Sequence, residues 1–342
     1  MNMHYLDFAA LHTLVREILT CGGLSAPHAD AIARVIVKAE QDQCRSHGLY
    51  RIKGVLKTLH GGIADGQVEP EIDSSPHKPI VKVHAHGAFS PLAFERSAPL
   101  LADKAKQYGI AALSLNDCVH FSALWPEVEM LASMGVAALA MCPSNAYVAP
   151  AGGIRKLLGT NPLAFAWPCT DGNPYVFDFA TSVAARGEVE LYRLDGKALP
   201  DGWGIDAQGN PSNDPAAVLD GALLTFGGYK GSAIATMIEL LAGVLIGDLL
   251  SVESSALDDG RLLAPRHGEL IIALDPKAFA APDPTVHTRK LLDAFAAQGA
   301  RLPSQRRYAA RQAAQAHGIP VSADNLAKLE RMRTGDFSVE LH

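Results

Sequence analysis

The chain has 342 residues, with 30 Lys and Arg against 36 Asp and Glu, and 48% of its residues are hydrophobic. At roughly 150 residues per domain this length makes about two domains with sizeable cores, which excludes a disordered chain and a small disulfide scaffold. A formal charge of −6 and the absence of a long basic run leave no field for a polyanion, so nucleic acid is not an expected partner. The five cysteines (Cys21, Cys44, Cys118, Cys142 and Cys169) are odd in number and contain no CxxC pair, so they are expected to be reduced and buried or semi-buried. The N-terminal stretch carries Asp7 and Glu17 and lacks the basic and apolar regions of a signal peptide, which places the expected protein in the cytoplasm. Met237 to Val252, interrupted by Glu239 and Asp248, is too short to cross a bilayer and reads as a buried core helix; no membrane partner is expected.

In chain order, apolar residues at helical spacing from Asp7 to about Thr20 stop at Gly22-Gly23. A second helix is predicted from Ser25, as N-cap before Pro27, to near Gln43, and a third from Leu49 to Leu59 before Gly61-Gly62, so the first 65 residues read as all-helical. Residues 79 to 87, 110 to 117 and 136 to 144 are short apolar runs that read as strands, separated by helical patterns over Pro91 to Tyr108 and Leu124 to Ser133. That alternation makes the middle of the chain α/β. Residues 162 to 168 and 175 to 181 read as a hairpin around Asp171-Gly172-Asn173, residues 268 to 276 as a further strand, and the tail from Leu302 as an Arg-rich helix returning to the N-terminal helices.

No dinucleotide GxGxxG follows a strand: Gly202-Trp203-Gly204-Ile205-Asp206-Ala207 lies in a polar, turn-rich stretch and reads as a surface loop. FGGYKGSA sets Gly227, Gly228 and Gly231 around Lys230 at the opening of a long apolar helix, either an anion site or a glycine-rich turn with a solvated lysine. Arg301, Arg306, Arg307 and Arg311 cluster near a proline, which suits a phosphate, including the 2′-phosphate of NADP, or a solvated helix start. CRSHGLYRI places Ser46, His47 and Arg51 together; with helix through Gly48, His47 and Arg51 would share a face and present an acid/base imidazole and a carboxylate-binding guanidinium to one substrate. The plain alternative is a helix-connecting turn with Ser46 as cap and Arg51 exposed. His120, after a strand, and Thr160 with Asn161, after a glycine, occupy junctions where α/β enzymes place chemistry, though a capping histidine and a turn would read the same. Asp178, Thr181, Ser182, Arg186 and Glu188 follow in VFDFATSVAARGEVE, where one buried carboxylate beside an imidazole would raise its pKa. His84 and His86 share a strand face with no third ligand, which favours a non-metal role; no metal is expected.

The set SHG, HF after a strand, GTNP, DFATS, GGYKG and the late Arg cluster, in this order, resembles the malate/L-lactate dehydrogenase type 2 family over nearly the whole chain. The resemblance implies an NAD(P)-binding α/β fold that is not a Rossmann fold. It also implies a helical domain from both termini (1–75 and 301–342), a small α/β domain (76–115 and 267–300), an NADPH-binding α/β domain (116–266), and a homodimer. Trp125-Pro126 resembles the branch that reduces cyclic imine carboxylates, which implies NADPH-dependent reduction of Δ1-piperideine-2-carboxylate and Δ1-pyrroline-2-carboxylate to L-pipecolate and L-proline. By the same resemblance His47 is the proton donor with Ser46 and Glu188 as relay, Arg51 and Thr160 clamp the substrate, and Arg186 and Gly187 border it. NADPH falls to His120, Phe121, Ser122, Ala123, Leu124, Asp178, Phe179, Ala180, Tyr229, Lys230, Pro303, Ser304, Gln305, Arg306, Arg307 and Tyr308. Glu188 stands where the nearest relatives carry Asp, and Tyr229 where His is frequent. A 2-oxo acid reductase of malate, lactate or diketogulonate type is the rival enzyme; a nucleotide-binding sensor and an interaction protein are rivals without turnover.

Overall fold

The computed structural model describes residues 2–170, 172–279 and 284–341. The chain runs β1 (Met3–Leu6), α1 (Phe8–Cys21), α2 (Ala26–Gln41), α3 (Arg51–His60), β2 (Glu71–Asp73), β3 (Ile80–His84), α4 (Ser90–Tyr108), β4 (Ile110–Val119), α5 (Trp125–Ser133) and β5 (Ala137–Met141). It continues β6 (Leu163–Trp167), β7 (Tyr175–Phe179), α6 (Arg186–Leu194), β8 (Gly204–Ile205), β9 (Pro211–Ser212), α7 (Pro215–Asp220), β10 (Ala222–Leu223), α8 (Tyr229–Glu239) and α9 (Ser251–Asp258). It closes with β11 (Arg266–Leu274), α10 (Pro276–Phe279), α11 (Pro284–Ala297), α12 (Gln305–His317), β12 (Ile319–Ser322) and α13 (Ala323–Arg333).

The helix boundaries follow the local signals. Asp7 caps α1 by accepting the Ala10 N–H at 2.7 Å, and Pro27 sits in the first turn of α2, where its missing N–H costs nothing. Ser25 is extended as an N-cap is, but makes no capping bond. The two termini meet: β12 pairs antiparallel with β1, and Leu11, Val15, Ile18, Ile32, Ile36, Ile52, Val321, Leu329 and Met332 share one core. The first 65 residues are therefore not all-helical, because Met3 to Leu6 find a strand partner at the far end of the chain.

A seven-stranded sheet in the order β2-β3-β4-β11-β5-β6-β7 forms the centre. Only β3 and β4 run parallel; every other neighbour pair is antiparallel. Strand β11, buried along nearly its whole length, slots between β4 and β5 with a register break between His267 and Glu269. Gly268 occupies that break because a Cβ there would lie 2.5 Å from the Ile246 side chain and 3.0 Å from the Ala242 carbonyl. A small sheet ordered β10-β8-β9 holds Gly204, so the rejected glycine motif is a strand start with no helix behind it. Strands β6 and β7 pair as the hairpin reading expects; Asp171 lies outside the described residues.

Three readings need correction. Met237 to Val252 is not one buried helix: α8 passes into a π-turn over Leu240–Val244, and Met237, Leu240, Val244 and Leu245 are exposed. Apolar composition shows that a face is apolar, not what it covers. Cys21 is exposed, although none of the five cysteines is paired. His84 ends β3 and His86, at φ 53°, lies outside it, so their rings meet at 4.2 Å across a bend instead of along a strand face. Among the described residues no helix is long and apolar enough to cross a membrane.

Candidate active site

The end of β7 gathers the segments that the motifs single out. The Asp178 carboxylate accepts the backbone N–H groups of Leu124 at 3.0 Å and Trp125 at 2.9 Å, satisfying the first turn of α5. Burial raises its pKa to about 6 against the pull of those bonds and of Arg307. Two cations lie over the Trp125 ring, Arg307 at 4.5 Å and Lys38 at 5.2 Å. Ser304 and the first turn of α12 lie along β7, with the Ser304 hydroxyl donating to the Val176 carbonyl and the Tyr308 hydroxyl to the Pro174 carbonyl. Thr181 donates through N and Oγ1 to the Thr160 carbonyl, at 2.8 and 3.0 Å, and its own carbonyl accepts from Phe226 N at 3.0 Å. Gly227 and Gly228, at φ 55° and 60°, then turn the chain into α8 with Tyr229 and Lys230 exposed.

His47 stands on a 3₁₀ turn, Arg45–His47, with Ser46 Oγ 3.0 Å from its Nδ1. The helix does not continue through Gly48, so His47 and Arg51 share no helix face. Glu40 approaches this turn closely: its Oε1 accepts the Leu49 N–H at 2.7 Å and would lie 2.2 Å from a Cβ on Gly48. The turn still brings His47 close to Arg51. Burial first, and the Arg51 charge second, push the imidazole down to about 3, so it is neutral at physiological pH. Arg51 is not the exposed residue of the plain reading; its Nη2 donates to the Phe121 carbonyl at 2.7 Å while its buried Nε has no acceptor. The Tyr50 hydroxyl lies 3.7 Å from where a Cβ on Gly187 would be, which brings the start of α6 to this edge. Arg186 there stacks over Tyr147 at 4.9 Å.

One expectation fails on contact geometry. Arg311 is no phosphate ligand: it is held by Asp42 at 2.6 and 2.8 Å and by Glu129 at 3.0 Å. Of its cluster, Arg301 and Arg306 are exposed and Arg307 is buried against Trp125. Glu188 is exposed in the first turn of α6, and its carboxylate bonds neither Ser46 nor His47. Asn161 is wholly buried and donates to Glu239 at 2.8 Å, a structural role. The carboxylates beside an imidazole are ones that spacing did not single out: Glu127 and Glu269 lie 3.9 and 3.8 Å from His120 Nε2. Their ligand atoms all fall within 4.8 Å of one another, a cluster assembled from α5, β11 and the loop before α5.

The profile of the family described as malate/L-lactate dehydrogenase matches residues 6–330. A Δ1-pyrroline-2-carboxylate reductase of Agrobacterium fabrum is 53% identical, with 96% of each chain covered. A Δ1-pyrroline-2-carboxylate/Δ1-piperideine-2-carboxylate reductase of Pseudomonas aeruginosa is 49% identical, over 90% of this chain and 93% of that one. Among solved structures, the Δ1-piperideine-2-carboxylate reductase of Pseudomonas syringae superposes with a TM-score of 0.93 at 38% identity, covering 96% of this chain and 99% of the other.

Proposed function

Because the chain belongs to the malate/L-lactate dehydrogenase family, we propose that it reduces the cyclic imines Δ1-pyrroline-2-carboxylate and Δ1-piperideine-2-carboxylate to L-proline and L-pipecolate with NADPH. The observation that carries this reading is the convergence of His47, the unsatisfied Arg51 Nε and the Asp178 junction at one end of β7. A buried donor without an acceptor is costly unless a ligand supplies one, and a 2-carboxylate does so.

The residues present fit a nicotinamide dinucleotide. Lys230 and Arg306 are exposed and, among the described residues, make no ion pair, so two cations are free for phosphates. The segments His120 to Leu124, Asp178 to Ala180, Tyr229 with Lys230, and Pro303 to Tyr308 would hold the cofactor, whose chemistry is hydride delivery. Arg51 and Thr160 would bind the substrate carboxylate, with Arg186 and Gly187 at the border. The imine carbon becomes more electrophilic when its nitrogen is protonated, and His47, oriented by Ser46, holds a proton at that nitrogen. A bound carboxylate neutralises the Arg51 charge, one of the two causes that depress His47, and so makes the imidazole a better proton holder once substrate is present. The exposed apolar face of Met237, Leu240, Val244 and Leu245 supports a homodimer. Side-by-side assays of imines and 2-oxo acids, with NADPH and NADH, test the assignment.

A further inference from the structure

Behind the site lies a polar cluster that the reaction as described does not use. His120, Glu127 and Glu269 are 5%, 4% and 0% exposed. His120 Nε2, Glu127 Oε2 and both Glu269 oxygens are buried without a hydrogen-bond partner. Among the described residues no Lys or Arg pairs with either carboxylate; the one charged contact of each is His120. The surrounding elements place Cys118 on β4, Cys142 after β5, Asp178 on β7, Asp248 before α9 and His267, whose Nδ1 lies 2.8 Å from the Gly268 carbonyl, around the cluster; the one cation that acts on it, Arg51, reaches His120 and forms no pair with either carboxylate. Two ionised carboxylates enclosed together without a counter-charge are disfavoured by desolvation and by each other, and one shared proton removes most of that penalty.

We propose that Glu127 and Glu269 form a buried carboxyl pair that holds one proton between them and accepts the Nε2–H of His120, positioning that imidazole beside His47. The 3.8 and 3.9 Å separations from Nε2 stand about 1 Å beyond hydrogen-bond length. The register break at Gly268 aims Glu269 at this spot, and Glu127 reaches it from the first turn of α5, the turn that Asp178 caps. The three groups thus tie the hydride-transfer junction to the sheet interior. His120 in turn lies near enough to His47 and Arg51 for their charges to depress its pKa further, after burial and His267. Burial pushes Glu269 up to about 7 and Glu127 well above the carboxylate range, which agrees with a pair carrying a single negative charge. These are positioning residues, acting through His120.

The functional half of this inference rests on the imine-reductase reading; the structural half does not, and the test separates them. Nitrogen-15 histidine and carbon-13 glutamate NMR on the ligand-free protein reads the cluster with no substrate present. The expected result is a single neutral His120 tautomer, protonated at Nε2, and one carboxyl proton retained by the pair at neutral pH. In the Glu127→Gln/Glu269→Gln double variant the single tautomer is lost. In the same variant kcat falls by about tenfold or more while KM for the imine moves by less than about twofold, the pattern of a misplaced group at the site. If the double variant does not fold, the wild-type spectra decide. The proposal is overturned by two ionised carboxylates at neutral pH, by an unaltered His120 signal in the folded double variant, or by a stoichiometric divalent metal in protein purified without chelator. Absence of imine reduction alongside the expected spectra would remove the functional reading and leave the carboxyl pair standing.

Discussion

Replacing Arg51 by Met removes the charge while keeping a stem of similar length. In the structure this guanidinium spends Nη2 on the Phe121 carbonyl at 2.7 Å and leaves its buried Nε without an acceptor. A charge-assisted contact to a carboxylate is worth about 1.5–3 kcal/mol, which corresponds to roughly 10- to 150-fold in kcat/KM at 1.4 kcal/mol per tenfold. The Phe121 bond adds about 1 kcal/mol of lost stability, which thermal unfolding reads separately. Steady-state reduction of Δ1-pyrroline-2-carboxylate supplies kcat/KM, and quenching or enhancement of NADPH fluorescence supplies the cofactor affinity. The expected outcome is a loss of kcat/KM in that range with NADPH affinity within about twofold of wild type. Unchanged kcat/KM in a folded variant would refute the clamp.

Three further outcomes are expected. His47→Ala lowers kcat by about 100-fold or more with little effect on NADPH affinity; near-normal turnover removes His47 from the reaction. Arg311→Met strands the buried carboxylate of Asp42, leaves Glu129 with Lys38 alone at 3.5 Å, and costs about 3–5 kcal/mol, on the order of 5–10 °C in Tm, so an unchanged Tm would contradict the ion-pair account. Asp178 is held near pKa 6 by burial against an ordinary 3.8, so its raised folded value contributes stability that is present at about pH 4 and is lost as pH rises through 6. Asp178→Asn abolishes that loss, and the variant should gain about 3 kcal/mol on wild type between about pH 4 and 7, measured by urea unfolding; a pH-independent difference would exclude an ionising Asp178.

What the sequence made legible were features written locally. Caps and glycines marked α1 to α3, and alternating runs marked β3 to β7 and β11, because period and punctuation are properties of neighbouring residues. The pairing of β1 with β12 was invisible, since each strand is short and its partner lies at the other end of the chain. The same limit applied to charges. Arg311 and Arg307 look alike in a cluster, yet one is locked between two carboxylates and the other stacks on Trp125. Trp125-Pro126, read as a mark of substrate choice, also has a packing role: Pro126 enters the first turn of α5 and the indole carries two cations over it. Glu127 and Glu269 carried no signal, because a wide stretch of chain separates them and only the insertion of β11 between β4 and β5 brings them to His120.

The most direct test of the account follows NADPH absorbance at one enzyme concentration with Δ1-pyrroline-2-carboxylate, Δ1-piperideine-2-carboxylate, pyruvate and oxaloacetate in parallel. The account predicts rapid oxidation with the two imines and little with the oxo acids. Rapid oxidation with an oxo acid and none with either imine would contradict it.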